Sequence, residues 1–282
     1  KRSHLLEFLD QYSAAWLTGL VVALLATGVI AGVMAGLLGV GGGIVIVPVL
    51  YHLFTLLGVD ESVKMHVAVG TSLATIIPTS IMSARAHAAK GNLDTSLLKT
   101  LGPALVIGVL IGTWLSGYLD GTALTAIFAA VALLVAANMA FRTQGGALAE
   151  NLPPTPFKQM IGAVIGGFST LMGIGGGTLT VPILTLFNYP IHKAVGTAAA
   201  IGLFISVPGA AGFLLHGMDD PGRPPFTIGY VNLIGFILIV PMTMLMAPVG
   251  ARLAHAINAT RLRQAFAVFL FITSLRMFYG LL

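Results

Sequence analysis

The chain has 282 residues, 57% of them hydrophobic and only 8% charged, with a mean hydropathy of +0.97 and 35 glycines. Soluble domains carry about 25% charged residues, so this composition cannot clothe a surface that faces water, and the chain belongs in a lipid bilayer. Cysteine is absent, which excludes disulfides, thiolate metal sites and cysteine nucleophiles, and the net charge of +5 is scattered over segment ends, which argues against nucleic acid as a partner.

In chain order, residues 1–13 form an N-terminal segment. The first apolar stretch, from about Ala14 to Leu38, is longer than a signal-peptide core and reads as a retained span. No Asp, Glu, Lys or Arg occurs from Gln11 to Val59. One crossing takes roughly 20 apolar residues, so this run holds two segments. Single runs follow at Met65 to Ala84, Thr100 to Leu119 and Gly121 to Phe141, then a second long run at Gln159 to His192. Ala194 to Met218, Pro224 to Ala251 and a last run from Gln264, broken by Arg276, complete an all-α integral membrane protein of about ten segments.

The chain is written twice. Gly39-Val40-Gly41-Gly42-Gly43 and Pro48 recur as Gly173-Ile174-Gly175-Gly176-Gly177 and Pro182, a spacing of 134. His66 and Val69-Gly70-Thr71 recur as His192 and Val195-Gly196-Thr197 at 126. Gly91, Pro103, Leu124, Phe128 and Met139 recur as Gly229, Pro241, Leu262, Phe266 and Met277 at 138. Residues 14–142 and 157–282 are thus two membrane repeats. The polar, proline-rich stretch 143–156 links them.

Five segments per repeat start the second half on the opposite side of the membrane, the inverted-repeat plan of many secondary transporters. With the loop of Arg85, Lys90 and Lys99 in the cytoplasm, alternation also puts Arg142, Lys158, Lys193, Arg252, Arg261 and Arg263 there. Outside lie Lys1, Arg2, Lys64 and Arg223, with the acids Glu7, Asp10, Asp60, Glu61, Asp120, Asp219 and Asp220. The positive-inside rule then places both termini outside. Re-entrant hairpins and paired full crossings fit this orientation equally.

Each G-x-G-G-G is followed by a short apolar stretch, Ile44 to Leu57 and Thr178 to Phe187. At 1.5 Å per residue these span roughly 15 to 21 Å, less than the ~30 Å hydrocarbon core. Each half therefore starts a helix inside the membrane. There, bare glycine amides and the positive helix end suit an anion. The amides of Gly41, Gly42, Gly43, Gly175, Gly176 and Gly177 are the expected donors, weighed against a plain packing role for small residues. Thr71, Ser72, Thr197, Ser169 and Thr170 are candidate hydroxyl donors, although in membranes such groups commonly bond their own backbone. Pro48 and Pro182 are expected to hold the short helices off ideal geometry and serve gating. Arg85 is a candidate attractor on the cytoplasmic side, and Arg276 lies in the last span; both are close enough to an interface to snorkel.

His52, His66, His192 and His216 read first as packing or interface histidines and second as proton carriers. No Asp or Glu falls inside an expected span, which favours an anion over a cation as cargo. No metal set, cofactor motif or catalytic constellation stands out, and the glycine segments lack the Lys-Ser/Thr ending of a P-loop. The rivals to an anion permease are a passive anion channel and an intramembrane protease built on Ser169.

Gly36 through Gly43 and Gly166 through Gly177, each followed by Val-Pro at Val47-Pro48 and Val181-Pro182, resemble the signature of the TauE/SafE family of sulfite exporters. Val69-Gly70-Thr71-Ser72, Val195-Gly196-Thr197 and Gly250-Ala251-Arg252-Leu253-Ala254 are similar to further family blocks. The resemblance runs from about Gly28 to Tyr279. It implies a permease of the bacterial inner membrane that exports sulfite, sulfonates or related sulfur-containing anions. The loop from Met218 to Pro225 departs from the pattern and is expected to cover the outer mouth.

Overall fold

A computed structural model describes residues 13–141, 149, 151–254 and 259–281. Residues 1–12 of the N-terminal segment, residue 142 and half of the expected linker, 143–148 and 150, lie outside the described residues. The first half holds α1 (Ala14–Leu38), α2 (Gly43–Leu56), α3 (Glu61–Ala88), α4 (Thr95–Ser116) and α5 (Gly121–Phe141). The second holds α6 (Thr155–Leu171), α7 (Gly177–Leu186), α8 (Ile191–His216), α9 (Leu233–Leu253) and α10 (Ala259–Tyr279). Six of these, α1, α3, α4, α5, α8 and α9, are long and apolar enough to cross a membrane. A two-stranded antiparallel hairpin, β1 (Thr227–Ile228) and β2 (Val231–Asn232), precedes α9 and is the one departure from helix among the assigned elements.

Local chemistry sets the helix ends. The Ser13 side chain caps α1 by accepting from the Trp16 N–H at 3.2 Å, and α1 stops at Gly39, whose φ of +66° costs a glycine little. Asp60, Asp94 and Asn232 cap α3, α4 and α9 through backbone N–H groups two or three residues on. Pro154 and Pro156 open α6, where a missing N–H does no harm.

The helices pack in a crossed pattern. α1 lies along α9, and α6 lies along α4; α3 packs on α8, and α5 on α10. Glycine stripes set the first two contacts. A Cβ on Gly36 would stand 2.0 Å from the Ala247 carbonyl oxygen, and one on Gly108 would stand 1.9 Å from that of Ala163. Backbones this close gain dispersion contacts that lipid cannot replace.

The centre belongs to α3 and α8. These two helices run antiparallel, because the Gly70 end of α3 meets Phe213 near the end of α8, while Gly196 at the start of α8 meets Asn92, just past the end of α3. α3 carries a polar face inside the protein. Thr79 shares a hydroxyl bond of 2.7 Å with Thr243, Ser83 donates to the Ala35 carbonyl, and His87 bonds the Gly36 carbonyl, tying α3 to α1 and α9. Near the start of α3, buried Lys64 pairs with Glu61, donates to Thr55 at 3.0 Å and lies 4.3 Å from the centre of the Tyr51 ring, fastening α3 to α2.

Candidate functional site

The two glycine elbows meet each other. A Cβ on Gly41 would stand 3.0 Å from the Gly175 Cα, and one on Gly175 would stand 2.5 Å from the Val40 carbonyl oxygen. Gly43 faces the Gly173 carbonyl and Gly177 faces the Gly39 carbonyl, at 2.4 and 2.1 Å by the same measure. Both elbows are fully buried. Only backbone this bare can approach backbone so closely, so glycine here serves contact between the halves as well as the turn itself.

The elbows differ in conformation. The first uses left-handed backbone at Gly39, Gly41 and Gly42, with φ of +66°, +73° and +79°, whereas the second does so at Gly173 alone among its glycines, φ +64°. Each opens a short helix, 14 residues in α2 and 10 in α7. The amides that start a helix have no partner within it, and the dipole adds positive potential. In this conformation each elbow covers the other.

The candidate hydroxyls have separate duties. Thr71 Oγ1 accepts the Asn232 N–H at 2.8 Å, and Thr197 Oγ1 accepts the Asp94 N–H at 3.0 Å. Each threonine thus latches the capping residue of a helix in the opposite half. Ser72 donates to the Gly173 carbonyl at 2.6 Å, joining α3 to the second elbow, and Thr170 bonds the Gly166 carbonyl of its own helix. Ser169 is buried and its hydroxyl has no hydrogen-bond partner, so among the described residues no histidine sits poised beside it as a catalytic base would.

Pro48 and Pro182 occupy equivalent sixth positions of α2 and α7, where each removes one helical N–H. Arg85 lies exposed in the last turn of α3, and Arg276 is exposed on α10; the structure brings neither to the elbows.

Further hydroxyls stand out once the chain is folded. Ser80, Thr178, Thr180 and Ser206 join Ser169 as buried groups without partners. A Cβ on Gly202 would touch Ser80 Oγ at 2.4 Å, which puts Ser80 at the α3–α8 contact. The 126-residue spacing carries Ser80 onto Ser206, a repeat signal that the sequence already held. Thr113 on α4 is a further such hydroxyl among the described residues, and each is a group that an oxygen acceptor would satisfy.

A cavity of about 250 Å³ lies elsewhere, where α3 begins. Ser62, His66, Ser116, Asp120, His216, Asp220 and Tyr230 are among its walls. Asp220, from the loop expected to cover a mouth, accepts the Tyr230 hydroxyl at 2.6 Å. Burial, then this bond, raises the Tyr230 phenol above its ordinary value. At the opposite end the Tyr189 hydroxyl bonds Asp94, and this bond, followed by the Leu97 N–H, holds the Asp94 carboxyl below the usual carboxylate range.

Comparison with known proteins agrees with the architecture. The family model for the sulfite exporter TauE/SafE matches residues 24–277. A probable membrane transporter protein of Haemophilus influenzae is 33% identical over 92% of this chain and 98% of its own length. A probable membrane transporter protein of Methanocaldococcus jannaschii is 28% identical over 86% of this chain and 90% of its own. A third, from Bacillus subtilis, is 29% identical over 84% and 88%. No solved structure matches the chain. With nearly its whole described length covered by one family model, this multi-pass membrane transporter belongs to the TauE/SafE sulfite exporter family.

Proposed function

We propose that the protein exports small sulfur-containing oxyanions, sulfite or sulfonates, across the bacterial inner membrane by alternating access of two inverted five-helix repeats. The linker falls between α5 and α6, the Arg85 and Lys90 loop faces the cytoplasm, and both termini face out. The crossed packing supports the repeat reading, since exchanging the halves turns the α1–α9 contact into the α6–α4 contact and maps α3–α8 and α5–α10 onto themselves.

The observation that carries the anion reading is the set of buried donors lacking acceptors, Ser80, Ser169, Thr178, Thr180 and Ser206, in a protein whose two elbows present helix N-termini. A ligand that satisfies donors must bring acceptors, and an oxyanion brings several. No carboxylate or lysine is needed to hold it. The elbows must part for cargo to pass between them, and the Pro48 and Pro182 breaks supply points where α2 and α7 can bend.

Transport of labelled sulfite, sulfoacetate and a plain dicarboxylate into proteoliposomes tests this reading. A hydrogen bond to a charged group is worth about 1.5–3 kcal/mol. Ser80→Ala combined with Ser206→Ala should therefore raise the KM for the preferred anion roughly tenfold or more while leaving the protein folded. Gly42→Val and Gly176→Val should abolish flux. Unchanged flux in the folded serine pair sinks the hydroxyl site, and flux that neither saturates nor supports exchange identifies a channel.

A further inference from the structure

The cavity at the start of α3 holds a histidine whose two ring nitrogens both face carbonyl oxygens. His66 Nδ1 lies 3.1 Å from the Ser62 carbonyl oxygen on its own helix, and Nε2 lies 3.1 Å from that of Leu119 and 3.3 Å from that of Ser116, at the end of α4 and the turn beyond. A neutral imidazole carries one N–H and one lone pair, and only the imidazolium donates from both nitrogens. With the neutral ring, one nitrogen lone pair confronts a carbonyl lone pair. With the charged ring, every contact is a charge-assisted hydrogen bond.

The surroundings are built for a charge that comes and goes. The Asp120 and Asp220 carboxylates line the same cavity, as does His216 from α8. The Tyr230 ring lies 5.0 Å from the His66 ring and the Phe213 ring 6.4 Å away, so aromatic faces flank it. Tyr230 is held by Asp220, whose own carbonyl takes the Arg223 Nε at 2.8 Å. On α3 itself the nearest charges, Glu61 and Lys64, are paired with each other, and Lys64 is committed to α2. His192, the repeat counterpart, is exposed at the start of α8, so of this matched pair only His66 is enclosed.

We infer that His66 is a proton-binding site of the transport cycle: the protonated ring clamps the start of α3 to the α4–α5 turn, and loss of the proton frees that end to open. This rests on the transport reading above and names its coupling ion. A proton taken up at His66 Nδ1 or Nε2 from the water on one side of the membrane leaves to the other side when access alternates, and that transfer couples it to the anion.

Two measurements test it, one independent of cargo. In nanodiscs, nitrogen-15 spectra of histidine-labelled protein should show the His66 ring passing from the neutral to the doubly protonated form as the pH is lowered, with the resonance assigned by its loss in His66→Gln. A ring that stays neutral throughout overturns the proton site. In proteoliposomes at zero membrane potential, a one-unit pH gradient should sustain up to about a tenfold concentration ratio of isethionate, a sulfonate whose charge is constant over this range, if one proton moves per anion. His66→Gln should remove that ratio, and His192→Gln should keep it. Gradient-driven accumulation that survives in folded His66→Gln also overturns the proposal. A titrating His66 in protein that moves no sulfonate or sulfite supports the proton site and overturns the cargo instead.

Discussion

The two ends of the molecule carry the same backbone latch and different chemistry. Where α3 begins, Gly70 lets the Tyr230 carbonyl approach and Thr71 takes the Asn232 N–H; where α8 begins, Gly196 admits the Asn92 carbonyl and Thr197 takes the Asp94 N–H. The capping side chain then bonds the first turn of α9 or α4 at the same 2.9 Å. Around the first latch lie an enclosed His66, the further ionisable side chains Asp120, His216, Asp220 and Tyr230, and a cavity; around the second, His192 is exposed and Asp94 is half-buried. The difference separates two jobs. Glycine, threonine and cap build the frame at both ends, and the side chains outside that trio give each mouth its own electrostatics.

Crowding the latches should have the largest effect. Valine at Gly70 or Gly196 would drive Cβ to 2.4 or 2.3 Å from a loop carbonyl oxygen, so both variants should lose about 3 kcal/mol or more of stability, visible as a drop in Tm in detergent. A loss at one end only would break the equivalence of the latches.

Removing the acceptor should cost less and should split the ends. Thr71→Val leaves the buried Asn232 N–H unpaired, a loss of about 1–3 kcal/mol. At Thr197→Val, water can reach half-buried Asp94, so a smaller drop in Tm is expected from the same assay.

The smallest effect concerns pH. The depressed Asp94 carboxyl adds stability that is present above the ordinary carboxylate value near 3.9 and is lost as pH falls through its lower folded value. Tyr189→Phe removes the largest cause of that depression, so the variant should lose less than about 1 kcal/mol at neutral pH, and its Tm should vary less between roughly pH 2.5 and 5. A Tm profile identical to wild type would show that the Tyr189–Asp94 bond contributes nothing at that end.

Much of the frame was legible in the residues. Charge-free runs located the helices, and the G-x-G-G-G repeats located helix starts at Gly43 and Gly177, one residue before the stretches expected from Ile44 and Thr178. The site was legible only in part. Thr71 and Thr197 were identified as a repeat pair, yet their bonding partners sit 161 and 103 residues away, and no local pattern announces a partner at that distance. Ser80 and Ser206 matched at the repeat spacing, but a serine in an apolar run reads as backbone-bonded until a fold shows it without an acceptor.

What the sequence determined alone is the solvent and the helices, because composition and periodicity act through each residue's own transfer and backbone preferences. The tertiary structure decided that the elbows face each other, that Arg85 stays at the surface and that His66 is enclosed by carbonyls. Those are facts of distance between chain segments far apart in order, and distance between segments is fixed only when the helices pack.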